Sequence, residues 1–368
     1  MFRRLPDRGY AFARVLGLVT VTYITWIVGS FLPIAGGVVL PGLVSVAGFV
    51  GWALRGRQVL RSLAQVKTAV VVEESLFLAG LIAWSALRAY VFHPDIAHTE
   101  QFMDMAFLSA TLHAGSFPPL DPWMSGHTIN YYYLGYLMNA ILIRFSGVAP
   151  AVGYNLALST IFALTLSGAY SLGYFLTRRL GWASVMPLFV VVLGNWHAVL
   201  VQLPQHQFPA SGNGWFFDST RVVGGGATIN EFPFFSLMLG DLHPHVMSLP
   251  VTLLAIALGA TFLYAEREPR LRAARLLVAA VVIGMLFTIN SWDFPTYLLL
   301  AGACIAAGGY LASDRPDWWK VPALSIVALA VASVVLYTPF FLHFRSLADG
   351  IGVVTTRSDI FQVIQVFG

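Results

Sequence analysis

Nine apolar runs, each close to the roughly 20 residues that carry a helix across a bilayer, recur near residues 10–30, 36–53, 72–92, 151–176, 182–203, 245–265, 274–291, 294–312 and 320–342. In hydrocarbon every backbone N–H and C=O must be satisfied by the chain itself, and unbroken runs of this length do so as helices. The composition agrees: 58% of residues are hydrophobic and 10% charged, against about 25% charged in an ordinary soluble domain. The chain reads as an all-α integral membrane protein. A net charge of +4 would raise the question of nucleic acid in a soluble protein, but here the cations sit in short clusters between apolar runs and act as topology determinants. No nucleic-acid partner is expected. The one cysteine, Cys304, lies within an apolar run and supports neither a disulfide framework nor a thiolate metal site.

A tenth run, 131–147, is only marginally long, and charge decides its treatment. With Arg3, Arg4 and Arg8 inside, the loop with Arg55, Arg57, Arg61 and Lys67 is inside after two crossings. If 131–147 crosses, Arg178 and Arg179, the group Arg267, Arg270, Arg272 and Arg275, and the pair Arg315 and Lys320 all fall outside. If it does not, all fall inside, as the positive-inside rule demands. The expectation is nine spans in the plasma membrane, a cytoplasmic N-terminus, a first apolar helix that is retained and not a cleaved signal, and 131–147 lying in or partly entering the outer interface.

This topology gathers 93–150, 204–244, 288–295 and the tail from about 343 on one outer face, with Asp95, Glu100, Asp104, Asp121, Asp218, Glu231, Asp241 and Asp293. Function is expected there. In "HPDIAHTEQFMDMAF", Glu100 and Asp104 are one helical turn apart and share a face, opposite Phe102, Met103 and Ala106. Such a pair can serve as general base or hold a divalent cation; a solvated face of an amphipathic helix is the competing reading. Asp121, His93, His98, His113 and His127 share the loop with no Lys or Arg, and uncompensated acid invites a visiting cation.

In "GDLHPHV", Asp241, His243 and His245 alternate before a span, a pattern suited to metal, phosphate or proton transfer, although a lone His at a membrane boundary is often structural. In "TINSWDFPTY", Trp292 and Asp293 occupy a break between spans, where Asp293 can equally cap the next helix. Tyr132, Tyr136 and Asn139 in "INYYYLGYLMNA" share a helical stripe, expected to face the acidic cleft, while Tyr131 and Tyr133 read as interfacial anchors. The glycine-rich segment 222–230 lacks the context of a phosphate loop and reads as a flexible loop. Arg221, Arg345 and Arg357 are the few cations assigned outside, each able to meet a phosphate.

These blocks have a resemblance. "INYYYLGY", "EFPFFSLMLGDLHPH" and "TINSWDFPTY" look like the signatures of the YYY membrane protein family, over about residues 72–345. The order of parts also resembles the GT-C superfamily of membrane glycosyltransferases that use polyprenyl-phosphate sugars. That resemblance implies a catalytic module over 71–368, with 1–70 contributing two additional helices; the C-terminus "SDIFQVIQVFG" stops as a new apolar pattern begins, so the chain is expected to be one module of a longer protein. It implies Glu100 or Asp104 as base, Asp241 near a divalent cation such as Mg or Mn, and Asp121, Tyr132, Tyr136, Asn139, Glu231, His243, His245, Trp292, Asp293 and Arg345 around the substrates. The substrates would be a polyprenyl-phosphate sugar and a glycan, lipid or protein acceptor. The rival is a proton- or cation-coupled transporter, which predicts ionisable groups along the middle of the spans.

Overall fold

Proline marks several helix starts, where its missing N–H costs nothing: Pro150, Pro244 and Pro269 each open a helix. The computed structural model describes residues 2, 4–33, 39–206, 213–223, 228–264, 266, 268–313, 316–346, 350, 352–353 and 357–367. They form α1 (Ala13–Gly29), α2 (Val39–Ala64), α3 (Lys67–Tyr90), α4 (Gln101–His113), α5 (Leu134–Ser146), α6 (Pro150–Thr177), α7 (Leu180–Ala183) and α8 (Val185–Pro187). Two π-helical stretches follow, Leu188–Val192 and Ala198–Gln202, then α9 (Asn213–Asp218) and α10 (Pro233–Leu239). The chain continues with α11 (Pro244–Phe262), α12 (Pro269–Ile289), α13 (Asp293–Leu311), α14 (Lys320–Val335), α15 (Thr338–Phe341) and α16 (Ile360–Phe367). Among the described residues the sole β-pairing is an isolated bridge between Leu120 and Thr128.

The all-helical class holds. Among the described residues six helices, α2, α3, α6, α11, α12 and α13, are long and apolar enough to cross a membrane, and α1 and α14 are shorter apolar helices. The run 182–203 is not one helix. It stops at Val192 and resumes at Ala198, because Asn195 turns its side chain onto the local backbone, accepting from His197 N–H at 3.2 Å, the competition that breaks helices at such residues. Apolarity alone cannot register that break.

The marginal run 131–147 forms a short helix. Helix α5 has 13 residues, about 20 Å at 1.5 Å per residue, too short for a core about 30 Å thick. Its residues Leu134 to Ile141 are all buried by other parts of the chain, as suits a helix apolar on every side. Gly147, at φ 67°, ends it in the left-handed conformation glycine accommodates.

The residues fall into two units, Met1–Pro187 with Gly240–Arg345, and Leu188–Leu239 with Ser346–Gly368. Helices α1 and α2 belong to the first. In that unit α3 runs along α6, α11 packs on α13, α12 and α6, and α12 runs along α14. Small residues permit the close approaches, as in membrane bundles generally: Gly80 admits Ala163, Gly284 admits the Ser333 carbonyl and the Tyr337 ring, and Gly308 admits the Phe262 carbonyl. Trp84 stacks on Phe162 at 4.3 Å between centroids. Helix α1 is locked in by Trp26, which stacks on Tyr337 and donates to the Tyr133 hydroxyl at 2.9 Å.

The second unit is held by stacked Phe216 and Phe235 and by two bonds to Gln365, from Trp196 N–H at 2.7 Å and with His197 Nδ1 at 2.9 Å. Residues 224–227 of the glycine-rich segment, its three glycines among them, lie outside the described residues.

Helix α6, about 40 Å long at 28 residues, sets apart two ends of the first unit. Near its start Asn155 donates to Pro94 O, and the same end joins Tyr132 to Ser291 and Asn130 to Arg345. Beyond its other end Arg178 reaches the Tyr264 hydroxyl, with Arg4 over the same ring. Of the segments expected on one face, 93–150, 288–295 and the ends 240–244 and 343–345 of the other two fall in this unit, most of 204–244 and the tail belonging to the second, and basic residues collect at the opposite end. Arg267 and Arg315 lie outside the described residues.

Candidate functional site

Three carboxylates, one imidazole and three phenols meet where α4, α5, α6 and α11 begin. Glu100 immediately precedes α4, and Asp104 occupies its first turn on the buried face with Phe107, Leu108 and Thr111. The loop before α4 is pinned by Gln101, whose Oε1 accepts from Ala97 and His98 N–H while its Nε2 reaches Gly240 O. Thr99 sits at φ 49°, a left-handed conformation unusual for a β-branched residue and of the kind that collects at functional sites. Its hydroxyl spans both oxygens of Asp241, at 2.8 and 2.9 Å.

His243 ties the set together. Its Nδ1 lies 2.6 Å from Glu100 Oε2 and 4.0 Å from Asp104 Oδ1, and its Nε2 lies 3.4 Å from the Tyr131 hydroxyl. Asp104 is fully enclosed and accepts from Tyr136 at 2.6 Å and Tyr154 at 3.5 Å. Tyr154 also meets Gly240 O at 3.1 Å and accepts from Leu242 N–H at 2.9 Å, which fixes the approach to α11.

Burial pushes the Asp104 carboxyl up from 3.8 to about 7; the charges of Asp241 and Glu100 add to the rise, and the hydrogen bonds from Tyr136 and Tyr154 oppose it. This is the pattern of a carboxyl poised to exchange a proton near neutrality. The Tyr131 hydroxyl is pushed up as well, first by burial and then by Asp104 and Glu100. Glu100 is the accessible carboxylate, with its side chain 58% exposed.

Of the residues expected from sequence, Glu100, Asp104, Asp241, His243 and Tyr136 come together. His245, the second residue of α11, keeps its ring 5.2 Å from that of His243. The tyrosine stripe is corrected: α5 begins only at Leu134, so helical periodicity does not extend back to Tyr132. Tyr132 turns to Ser291 Oγ, at 2.7 Å, and Asn139 is spent on Gly135 O within its own helix. Tyr131, read as an anchor, is the tyrosine of the triplet that meets His243, while Tyr133 is buried under Trp26.

The remaining expectations scatter. Asp121 forms a local turn, accepting from Trp123 and Met124 N–H. Glu231 belongs to the second unit, where it accepts from Ser236. Trp292 is 78% exposed, and Asp293 accepts from Asn290 Nδ2 at 3.1 Å without capping α13 through its side chain. Arg345 is tied by its backbone to Asn130.

Sequence reasoning missed Arg88, Thr99, Tyr154 and Gly240. Arg88, in the last turn of α3, is buried, donates to Asn155 Oδ1 at 2.8 and 3.0 Å, and packs its guanidinium against Gly240. The acidic cluster therefore has a fixed cation beside it, supplied by a span and not by its own loop. An arginine at the end of an apolar run was the available signal. Among the described residues no three His, Cys, Asp or Glu side chains gather so that they hold a metal ion; the Asp241 oxygens are instead engaged by Thr99.

Residues 20–368 match the family described as an uncharacterised membrane protein family, DUF2298, also called the YYY family. The chain belongs to this family. No curated protein and no solved structure matches it. Family membership covers almost the whole chain and accords with the apolar helices, and the DUF2298 description assigns no activity.

Proposed function

We propose that this DUF2298 chain is a membrane-embedded glycosyltransferase that moves a sugar from a polyprenyl-phosphate donor to an acceptor hydroxyl. The observation that carries the reading is the Glu100–His243 contact of 2.6 Å placed beside enclosed Asp104, at the helix ends of an apolar bundle. Glu100, the exposed carboxylate, takes the acceptor proton. The acceptor oxygen bonds to the anomeric carbon as the bond from that carbon to the phosphate oxygen breaks, and the electron pair leaves with the polyprenyl phosphate. His243 orients Glu100, and the buried Arg88 guanidinium beside the cluster supplies positive charge to offset the leaving phosphate. Asp104 and Asp241 hold the ring of tyrosines and Thr99 in place. The carboxylates present do not converge as a metal cage, and no step is routed through a metal.

The near-neutral Asp104 also favours a second reading, proton-coupled transport, and one experiment separates the two. Purified protein is incubated with radiolabelled polyprenyl-phosphate sugars and acceptor extracts, comparing wild type with Glu100→Gln, Asp104→Asn and Asp241→Asn. Loss of a general base lowers turnover by about 10²–10⁴-fold, so Glu100→Gln is expected to fall that far. Turnover unaffected by all three substitutions would sink the assignment, and proton-coupled solute flux in liposomes without sugar transfer would establish the transporter.

A further inference from the structure

At the basic end of the first unit, away from the acidic cluster, a cavity of about 370 Å³ lies where α11 and α13 end and α12 and α14 begin. Its wall is apolar, with Phe262, Leu276, Ile305 and Val321, and its mouth carries Tyr264, Trp318, Arg272, Arg275 and Lys320. This layering, apolar body below and aromatic and cationic groups above, is that of a membrane interface.

Its charges do not balance. Lys320 lies 3.6 Å from Asp317, and Arg275 lies 3.9 Å from Glu266. Arg272 has no side-chain partner among the described residues, and its guanidinium is left over. Arg275 is mostly enclosed, holds the carbonyls of Tyr264 and Thr261 at the end of α11, and keeps its Nε buried without an acceptor. Tyr264 adds two more cations to the rim, with Arg4 5.5 Å above its ring and Arg178 donating to its hydroxyl at 3.4 Å. Three guanidinia thus meet one tyrosine, a fourth, Arg272, lines the same cavity, and Glu266 and Asp317 are the carboxylates in its lining. An unpaired guanidinium and an orphaned buried N–H are donors awaiting an anion with several oxygens.

We propose that this cavity binds the headgroup phosphate of an anionic phospholipid, with the glycerol and upper acyl chains against the apolar wall. The apolar wall selects a lipid over a free anion, and the surplus guanidinium selects an anionic over a zwitterionic headgroup. Basic pockets between membrane helices take such headgroups on general electrostatic grounds. The site is independent of the reading proposed for the acidic end.

The test is native mass spectrometry of the purified full chain with equimolar phosphatidylglycerol and phosphatidylcholine of matched chains. The wild type is expected to retain phosphatidylglycerol preferentially, and Arg272→Gln to weaken that binding about tenfold or more. Arg272→Lys, which keeps a charge but not the fork, falls between, and Arg57→Gln on the exposed face of α2 leaves binding unchanged. Thermal melts of the variants establish that they fold. Equal retention of the two lipids overturns the proposal, as does an Arg272→Gln protein that binds like wild type. Displacement of the lipid by inorganic phosphate at equal concentration overturns the assignment to lipid.

Discussion

Asp104 makes the folded chain a pH meter, and the size of the effect follows from its environment. Its carboxyl is fully enclosed, and burial lifts it from 3.8 to about 7. Between those two values the folded protein holds a proton that the unfolded chain has released, so the unfolded state binds fewer protons and stability falls as pH rises through the window. Above about 7 both states are ionised and the slope vanishes. Roughly three pKa units, each worth about 1.4 kcal/mol, set the full penalty at ~4 kcal/mol.

Asp104→Asn removes the titration while keeping an oxygen for the Tyr136 hydroxyl. Unfolding of detergent-solubilised wild type and variant, followed from pH 4 to 8 at constant ionic strength, isolates the contribution of this one group, since every other carboxyl is common to both. The variant is expected to gain stability relative to wild type as pH rises, with most of the gain complete by about pH 7. A stability difference flat across pH 5 to 7 within ~1 kcal/mol would refute the reasoning that burial dominates at Asp104.

Other expectations follow from the same contacts. Tyr136→Phe deletes a hydrogen bond that opposes the rise at Asp104, so the pH window moves upward in the same melts and stability drops by ~1–3 kcal/mol. Gly240→Ala sets a side chain at φ +80° against the Arg88 guanidinium; it is expected to cost more than ~2 kcal/mol, and a melt matching wild type would remove Gly240 from the account of the site. Trp26→Phe leaves the buried Tyr133 hydroxyl without its donor, at about 1–3 kcal/mol, and unchanged unfolding would show that α1 is not bound into the first unit as described.

Much of this arrangement was legible because hydrocarbon imposes simple rules. Long apolar runs become helices, and residues such as Glu100, Asp104, Asp241 and His243 stand out because polar groups are rare in such a chain. Where the reading failed, local rules met competing ones. The run 182–203 is apolar yet interrupted at Asn195, whose side chain satisfies the backbone outside a helix. The stripe through Tyr132 assumed a helix that starts two residues later, at Leu134. Arg88 was overlooked because the acidic loop was weighed by its own charges, whereas its cation arrives from α3.

From sequence alone came the helical class, the membrane, the clustering of chemistry between particular spans, and the membership that the tyrosine block announces. These depend on composition and short spacing, which the chain carries with it. Tertiary structure alone decided which tyrosine serves the site. Tyr131, Tyr132 and Tyr133 are neighbours of one chemistry, yet three different elements receive them: His243 ahead of α11, Ser291 between α12 and α13, and Trp26 on α1. A segment outside any helix or strand points successive side chains in different directions, and what each one meets depends on parts of the chain more than a hundred residues away.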